Sequence, residues 1–136
     1  MGSQLSDFEL GWLVGILEGE GTFRYFHKSQ KVVVQMSDED TVYRIAATFE
    51  RLTGQTCEVK DVKPQKTHHS LMHYVALNGE SARIVMRTVV KHMSHRRRQK
   101  IWQCLNAFDI ENKRVKIDLV KLALVTEEPT WRRKQI

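Results

Sequence analysis

Two carboxylates end an unusual segment of the chain, residues 13–21, which has the sequence LVGILEGEG. The apolar residues of this segment follow helical spacing, so Glu18 and Glu20 fall at the C-terminal end of a predicted helix. The helix dipole disfavours negative charge at that end, and a bound divalent cation would reverse this penalty. Because Mg²⁺ is held by one or two carboxylates together with phosphate oxygens of a substrate, the pair predicts metal ligands. A solvated polar helix end is the alternative interpretation.

The same segment carries two small residues on one face of the predicted helix. Gly15 and Gly19 lie four positions apart, and residues at this spacing are neighbours on a helix surface. Since neither residue has a side chain, the backbone of another helix can come close to this face. The spacing therefore favours a packing site for a partner helix.

Capping residues and hydrophobic periodicity predict the elements that position these groups. Ser6 and Glu9 form a capping box at the start of the first helix. The predicted elements are a helix from this box to Gly19-Glu20-Gly21, strands at 23–28 and 31–36 joined by a turn at Ser29-Gln30, a helix from Ser37 to a stop at Gly54, strands at 56–62 and 71–77, a helix opened by Asn78-Gly79-Glu80, a helix capped by Ser94, and a helix at 115–125.

This order predicts an α+β fold of the type αββαββα, with a four-stranded antiparallel sheet and extra C-terminal helices. One domain is expected over residues 1–136, with a core at about 6–108, a helical extension at about 109–128 and a basic tail at 129–136. One face of such a sheet packs on the helices, and the other can meet water or a ligand.

The two strands of the first predicted hairpin each present one polar face. Arg24, Phe26 and Lys28 alternate along the first strand, and Lys31, Val33 and Gln35 alternate along the second. Arg, Lys and Gln side chains suit phosphates and base edges, so this face is predicted to lie on DNA. A polar outer face is also what any half-buried sheet presents.

The composition favours a polyanionic partner and excludes several classes of protein. Among 136 residues, 22 Lys and Arg against 16 Asp and Glu leave a net charge of +6, and residues 87–100 contain six basic residues and no acid. This clustering is typical of phosphate contacts. The longest apolar run, residues 12–17, is far shorter than the ~20 residues of a membrane span, and no secretory leader is evident. With only Cys57 and Cys104, no disulfide framework is expected, which favours an intracellular location.

Residues 13–21 resemble the LAGLIDADG motif of homing endonucleases, with both acids present as Glu and a Gly between them. Four further features agree with that family: a strand directly after the motif, the αββαββα order, the acidic Asp38-Glu39-Asp40 at the start of the second helix, and the basic residues 95–100. The resemblance covers roughly residues 6–108.

The resemblance implies a homodimeric, Mg²⁺-dependent endonuclease that hydrolyses one phosphodiester in each strand of a near-palindromic duplex DNA site. It implies that Glu20 is the main catalytic metal ligand, Glu18 a lesser and structural one, and Asp38 a residue that places water. Arg96 would support the site, and Lys100 would do so if the chemistry needs an amine that can lose a proton. The implied dimer interface contains Trp12, Gly15 and Gly19, and the implied DNA contacts are Arg24, Phe26, Lys28, Lys31, Val33, Gln35, Lys60, His73, Arg97 and Arg98.

Two departures from the family pattern leave alternatives open. Glu20 replaces the more frequent Asp and reaches about one methylene further, and the basic segment begins with arginines, which stay protonated. A DNA-binding regulator that does not cleave and an RNA-binding, maturase-like factor in intron splicing are therefore rival interpretations. His68, His69 and His73 have spacings that suggest a zinc site, but a solvated, phosphate-contacting or packed role is favoured for them.

Overall fold

The computed structural model describes residues 2–63 and 70–111 of the chain. Within these ranges the αββαββα order and the α+β class are confirmed, and a fourth α-helix follows. The predicted helix at 115–125 and the basic tail at 129–136 lie outside the described residues. The elements are α1 (Asp7–Glu20), β1 (Gly21–Phe26), β2 (Ser29–Met36), α2 (Glu39–Thr53), β3 (Lys60–Val62), β4 (Met72–Asn78), α3 (Glu80–Val89), a 3₁₀ turn (Val90–His92) and α4 (His95–Glu111).

The four strands form one antiparallel sheet in the order β1-β2-β4-β3. Strand residues alternate between a buried and an open face, as the period of two requires. Buried side chains from the strands meet apolar side chains of the helices, so the core lies on one side of the sheet and the other side stays open. This core includes Phe23, Val32, Val34, Val75, Leu13, Leu17, Ile45, Phe49, Val85 and Met86.

The capping box at the start of α1 is confirmed. The Ser6 hydroxyl accepts a hydrogen bond from the Glu9 backbone N–H at 3.2 Å, and the Ser6 N–H donates to the Glu9 carboxylate at 3.1 Å. Arg51 of α2 pairs with the same carboxylate, which ties the start of α1 to α2. The direction of α1 is therefore anchored at its N-terminal end.

The junction of α1 and β1 has no loop. Gly21 is extended (φ −76°, ψ 145°), and its N–H still donates to the carbonyl oxygen of Leu17. A Cβ atom here would lie 2.7 Å from that oxygen, so close backbone approach, rather than a left-handed conformation, requires glycine. Glu20, the last residue of α1, consequently stands directly at the edge of the sheet.

The predicted turn at Ser29-Gln30 is wrong. His27 and Lys28 form the turn, both with positive φ (52° and 59°), which matches the twist of a two-residue hairpin. Ser29 pairs with Phe26, and Gln30 is buried in β2, where its amide donates to the carbonyl oxygen of Cys104 at 3.0 Å. This hydrogen bond to α4 helps to fix the β1–β2 register, in which Lys28 lies at the tip of the hairpin.

The second predicted hairpin is shorter than its alternation suggested. Only Lys60–Val62 pairs with β4, and the half-buried Cys57 lies ahead of that strand instead of within it. The predicted stop of α2 is confirmed, because Gly54 adopts the left-handed conformation (φ 75°) that favours glycine. In the described ranges, no helix has the length and apolarity to cross a bilayer.

Candidate nucleic-acid interface and metal-ligand site

A concave groove lies on the open face of the sheet, with Glu20 at one end. The groove has a volume of about 390 Å³ and crosses the strands rather than the helical core. The Glu20 side chain is exposed, because α1 ends where the open face begins. The residues that line the groove are Glu20, Thr22, Arg24, Lys31, Val33, Gln35, Val62 and Tyr74.

The strand register arranges the groove in cross-strand rows. Gln35 lies opposite Tyr74, which in turn lies opposite Lys60, so a polar row forms near the Glu20 end. The next row is small, with Thr22, Val33 and Ala76 side by side, and the one after it contains Arg24, Lys31 and Asn78. Successive rows are two residues apart, about 6.6–6.8 Å along the strands.

The third row places two cations face to face. Arg24 and Lys31 are direct cross-strand partners on the open face, and like charges in that relationship destabilise a sheet. No acid of the described chain forms an ion pair with either of them. A polyanion lying along this face would remove the repulsion.

Phe26 stands at the far end of the same face, next to the hairpin tip. Its side chain is 62% exposed, although it is large and apolar. The Phe26 ring meets the His27 ring edge-on at a centroid distance of 3.9 Å. Phe26 lies two positions from Arg24 and two from Lys28 in the chain. An exposed aromatic side chain near such cations suits contact with a base, for example with a thymine methyl group.

Glu18 and Glu20 have different surroundings. The Glu18 carboxylate accepts hydrogen bonds from the Ser94 backbone N–H at 2.5 Å and from the Ser94 hydroxyl at 2.9 Å. Ser94 directly precedes α4, so Glu18 sits at a helix N-terminus, where negative charge is favourable. The charge that is unfavourable at the end of α1 is thereby stabilised at the start of α4.

Arg97 joins the end of α1 to the start of β1. Its guanidinium donates to the carbonyl oxygen of Gly21 at 2.6 Å and to that of Glu18 at 3.0 Å. Its Nε atom lies 3.6 Å from the Glu18 carboxylate, and the side chain is only 14% exposed. A helix end leaves its last carbonyl groups without helical donors. Arg97 supplies a donor to one of them, that of Glu18, and a second donor to the carbonyl group of Gly21, the first residue of β1.

Glu20 is the motif acid that remains available to a metal ion. None of the described residues donates a hydrogen bond to its carboxylate or forms an ion pair with it. An exposed carboxylate in a groove suits Mg²⁺, which prefers oxygen ligands and keeps several waters. No group of three His, Cys, Asp or Glu side chains forms a metal site within residues 2–63 and 70–111. The residues of one chain therefore fit Mg²⁺ only if phosphate oxygens, water or a second copy complete the coordination.

Three residues predicted at the catalytic site, Asp38, Arg96 and Lys100, do not line the groove. The Asp38 carboxylate accepts a hydrogen bond from the Thr41 hydroxyl at 2.7 Å at the start of α2. Arg96 and Lys100 are exposed on α4 and line a separate pocket of about 480 Å³ between α4 and β1. Thr22 belongs to both cavities, so it marks where they meet.

Two predicted DNA contacts are corrected by burial. His73 lies on the inner face of β4 and is 5% exposed, with Nδ1 2.7 Å from Asp61 and Nε2 3.7 Å from Glu39. Arg98 is 8% exposed on the side of α4 that faces the core. Helical geometry thus gives the three arginines different surroundings: Arg96 is exposed, Arg97 contacts α1 and Arg98 is buried. Lys60 remains on the open face.

Three groove residues and one glycine were not predicted from the sequence. Thr22, Val62 and Tyr74 line the groove, and the alternation of residues 72–78 carried the signal for Tyr74, since His73, Val75 and Leu77 point inward. Gly11 precedes Gly15 by four positions and lies on the same helix face. The spacing of three glycines was visible in the sequence.

The glycine face of α1 is open. An added Cβ atom at Gly11, Gly15 or Gly19 would meet nothing within 4 Å. Phe8, one turn before Gly11, is 74% exposed. Trp12, predicted at the dimer interface, is half-buried beneath the Arg44 guanidinium, which lies 4.0 Å from its ring centroid. The face therefore offers a flat backbone strip with an exposed aromatic residue at one end.

The element order and the single four-stranded antiparallel sheet match the fold of LAGLIDADG homing endonucleases. The homing endonuclease I-CvuI, in a crystal structure with its target (Sro1.3) in the presence of 2 mM Ca, has a TM-score of 0.51 to this chain. Its sequence identity is 17%, over 88% of this chain and 78% of the other.

A second I-CvuI structure, with the I-CreI target (C1221) in 2 mM Mg and with the DNA not cleaved, has a TM-score of 0.43. Its identity is 13%, over 92% of this chain and 86% of the other. No family model and no curated protein matches the sequence.

Proposed function

We propose that the protein is a homing-type endonuclease that binds duplex DNA as a homodimer and hydrolyses one phosphodiester in each strand with Mg²⁺. The observation that carries this proposal is the position of Glu20, whose exposed carboxylate ends a groove walled by Arg24 and Lys31. A carboxylate beside cations in an open groove is the arrangement expected where a metal ion and a phosphate backbone meet.

Duplex DNA is the partner that suits the groove. The B-DNA major groove, about 12 Å wide, admits a two-stranded β-ribbon. The β1–β2 hairpin is such a ribbon, and its open face carries side chains that hydrogen-bond base edges and phosphates. The facing cations Arg24 and Lys31 repel one another until a polyanion lies between them and solvent.

A second copy of the chain is the partner that suits the glycine face. Close contact through Gly11, Gly15 and Gly19 would bring the ends of two α1 helices together, and each end carries one Glu20. Two copies related by a two-fold axis match a near-palindromic site, because protein symmetry is mirrored in the DNA. The dimer also supplies the second carboxylate that one chain lacks.

Different residues of the chain would hold the metal ion, neutralise the phosphates and place the attacking water. Bound Mg²⁺ would activate water and stabilise the charge that develops on the phosphate and on the departing 3′ oxygen. Glu20 would hold the metal, while Arg96 and Lys100, next to Thr22 across β1, would neutralise the adjacent phosphates. Asp38 remains the candidate that places water, because it is exposed at the N-cap position of α2 and its carboxylate makes no capping hydrogen bond there.

Selection from a random duplex library followed by a nicking assay tests the proposal. The selected site should be near-palindromic and should be nicked in both strands in Mg²⁺. Glu20→Gln keeps the size of the side chain and removes a metal ligand, so cleavage should fall by about 10²–10³-fold. Binding in chelator should stay equal or tighten, because a carboxylate repels phosphates and an amide does not.

Glu50→Gln is the matched control, since Glu50 is an exposed acid on α2, away from the groove. It should leave both assays unchanged. Tight binding of a selected site without cleavage in Mg²⁺ or Mn²⁺ would contradict the endonuclease proposal and favour a DNA-binding regulator. Preference for structured RNA over duplex DNA would favour the maturase-like alternative.

A further inference from the structure

Arg97 contacts the backbone on both sides of Glu20 without contacting its carboxylate. Its two hydrogen bonds reach the carbonyl oxygens of Glu18 and Gly21, which are three residues apart and bracket the metal-ligand candidate. The junction of α1 and β1 has no loop that would otherwise hold its shape. One side chain therefore spans the point where the helix becomes a strand.

The surroundings of Arg97 limit its own motion. The side chain is 14% exposed, and its guanidinium lies 5.8 Å from the centroid of the buried Phe23 ring. The Glu18 carboxylate, 3.6 Å from Nε, is itself hydrogen-bonded to Ser94 at the start of α4. The guanidinium thus lies near a ring on β1 and a carboxylate on α1, and Ser94 holds that carboxylate in place.

We propose that Arg97 is a positioning residue for Glu20: by bridging the Glu18 and Gly21 carbonyl groups, it sets the direction in which the Glu20 carboxylate meets a metal ion. This inference rests on the proposed function. It assigns to Arg97 a role different from direct DNA contact, because the side chain is only 14% exposed and two of its five N–H groups already donate to carbonyl oxygens of the α1–β1 junction. Planar geometry lets Arg bridge two acceptors, which a Lys ammonium cannot reproduce with the same geometry.

Metal affinity measured without catalysis tests the proposal. Mn²⁺ is titrated into the protein on its selected duplex, and bound ion is followed by loss of the free Mn²⁺ signal in electron paramagnetic resonance. Arg97→Lys and Arg97→Gln should weaken Mn²⁺ binding by about 10- to 100-fold, the usual cost of removing a group that orients a metal ligand. The Mg²⁺ concentration for half-maximal nicking should rise in parallel.

Arg51 supplies the matched control, because it pairs with Glu9 at the opposite end of the same helix. Arg51→Lys and Arg51→Gln should lower thermal stability without changing Mn²⁺ affinity. Arg97→Lys keeps the charge, so its duplex binding in chelator should equal that of the unmodified protein. If Arg97→Gln does not fold, Arg97→Lys still decides the outcome.

A double-mutant cycle separates positioning from general destabilisation. Glu20→Gln should reduce Mn²⁺ affinity strongly in the unmodified protein and much less in Arg97→Lys, since a misdirected carboxylate has little left to lose. Equal losses in both backgrounds, or Arg97 variants that bind Mn²⁺ normally, would overturn this inference alone. A Glu20→Gln variant that binds Mn²⁺ as well as the unmodified protein would instead overturn the proposed function.

Discussion

The Glu18 carboxylate accepts two hydrogen bonds from Ser94, 76 positions further along the chain, at 2.5 Å from the backbone N–H and 2.9 Å from the hydroxyl. This contact joins the C-terminal end of α1 to the N-terminal end of α4. It places the carboxylate where the dipole of α4 stabilises it, although the dipole of α1 does not. Glu18 therefore has a structural partner, and Glu20, two residues on, is left exposed at the groove.

Replacing Glu18 should cost stability. Glu18→Ala removes both hydrogen bonds to Ser94 and the ion pair with Arg97, and we expect the free energy of unfolding to fall by about 2 kcal/mol. Glu18→Gln keeps one hydrogen-bond acceptor, so its free energy of unfolding should fall by less. Urea denaturation measures both, with Glu20→Gln as the comparison, because that change removes no contact within the described chain. Equal stability of Glu18→Ala and Glu20→Gln would contradict the structural role.

Substitutions on the glycine face should separate folding from self-association. Since an added Cβ atom at Gly15 meets nothing within 4 Å, Gly15→Ala should raise the helix stability of the single chain by about 0.5–1 kcal/mol. The same change, and more strongly Gly19→Leu, should weaken the dimer in sedimentation at micromolar concentration. Ala47→Leu, at an exposed position of α2, is the control for added bulk. An unmodified protein that sediments as a monomer, with and without DNA, would exclude this interface.

The Arg24–Lys31 pair should oppose folding and support DNA binding. Lys31→Gln removes the like-charge contact, so the free energy of unfolding without DNA should rise by about 0.2–1 kcal/mol. For the proposed homodimer, the slope of log K against log salt should become shallower by about 1.8, because each of the two subunits loses one phosphate contact.

Lys91→Gln is the control for Lys31→Gln, because Lys91 is exposed in the 3₁₀ turn, outside the sheet. It should weaken all duplexes alike without a gain in stability, whereas replacing Arg24 or Gln35 should relax specificity at particular base pairs. A salt dependence of the unmodified protein close to zero would mean that these cations are only solvated.

The two cysteines should differ in reactivity. Burial raises the pKa of the Cys104 thiol, and Cys104 is 1% exposed in the core. Burial and, secondarily, the Glu50 carboxylate raise the pKa of the half-buried Cys57 thiol. A raised pKa means less thiolate at neutral pH, so Cys57 should react slowly with an alkylating reagent and faster as the pH rises. Cys104 should react only on unfolding; mass spectrometry of the native protein that finds Cys104 labelled first would refute this order.

The sequence alone predicted the parts of this protein that depend on neighbours in the chain. The Ser6–Glu9 capping box, the stop of α2 at Gly54 and the αββαββα order are all confirmed, because caps and periodicities act over a few residues. The open face that carries Arg24 and Gln35 also followed from alternation, since side chains of a strand point to opposite faces.

The tertiary structure decided which of several similar residues occupies which role. The family resemblance assigned different roles to Glu18 and Glu20, but charge and spacing alone do not distinguish two acids at a helix end, nor the three successive arginines at 96–98. When α4 packs against α1 and β1, the Glu18 carboxylate accepts a hydrogen bond from Ser94, and Arg97 donates to the backbone at the end of α1. The same packing buries Arg98 and leaves Arg96 exposed. The alternation of β4 places His73 on the inner face, and the fold supplies its partners there, Asp61 and Glu39, from other elements. These pairings join residues far apart in the chain, and local propensity carries no information about them, because their partners are brought together only when the core closes.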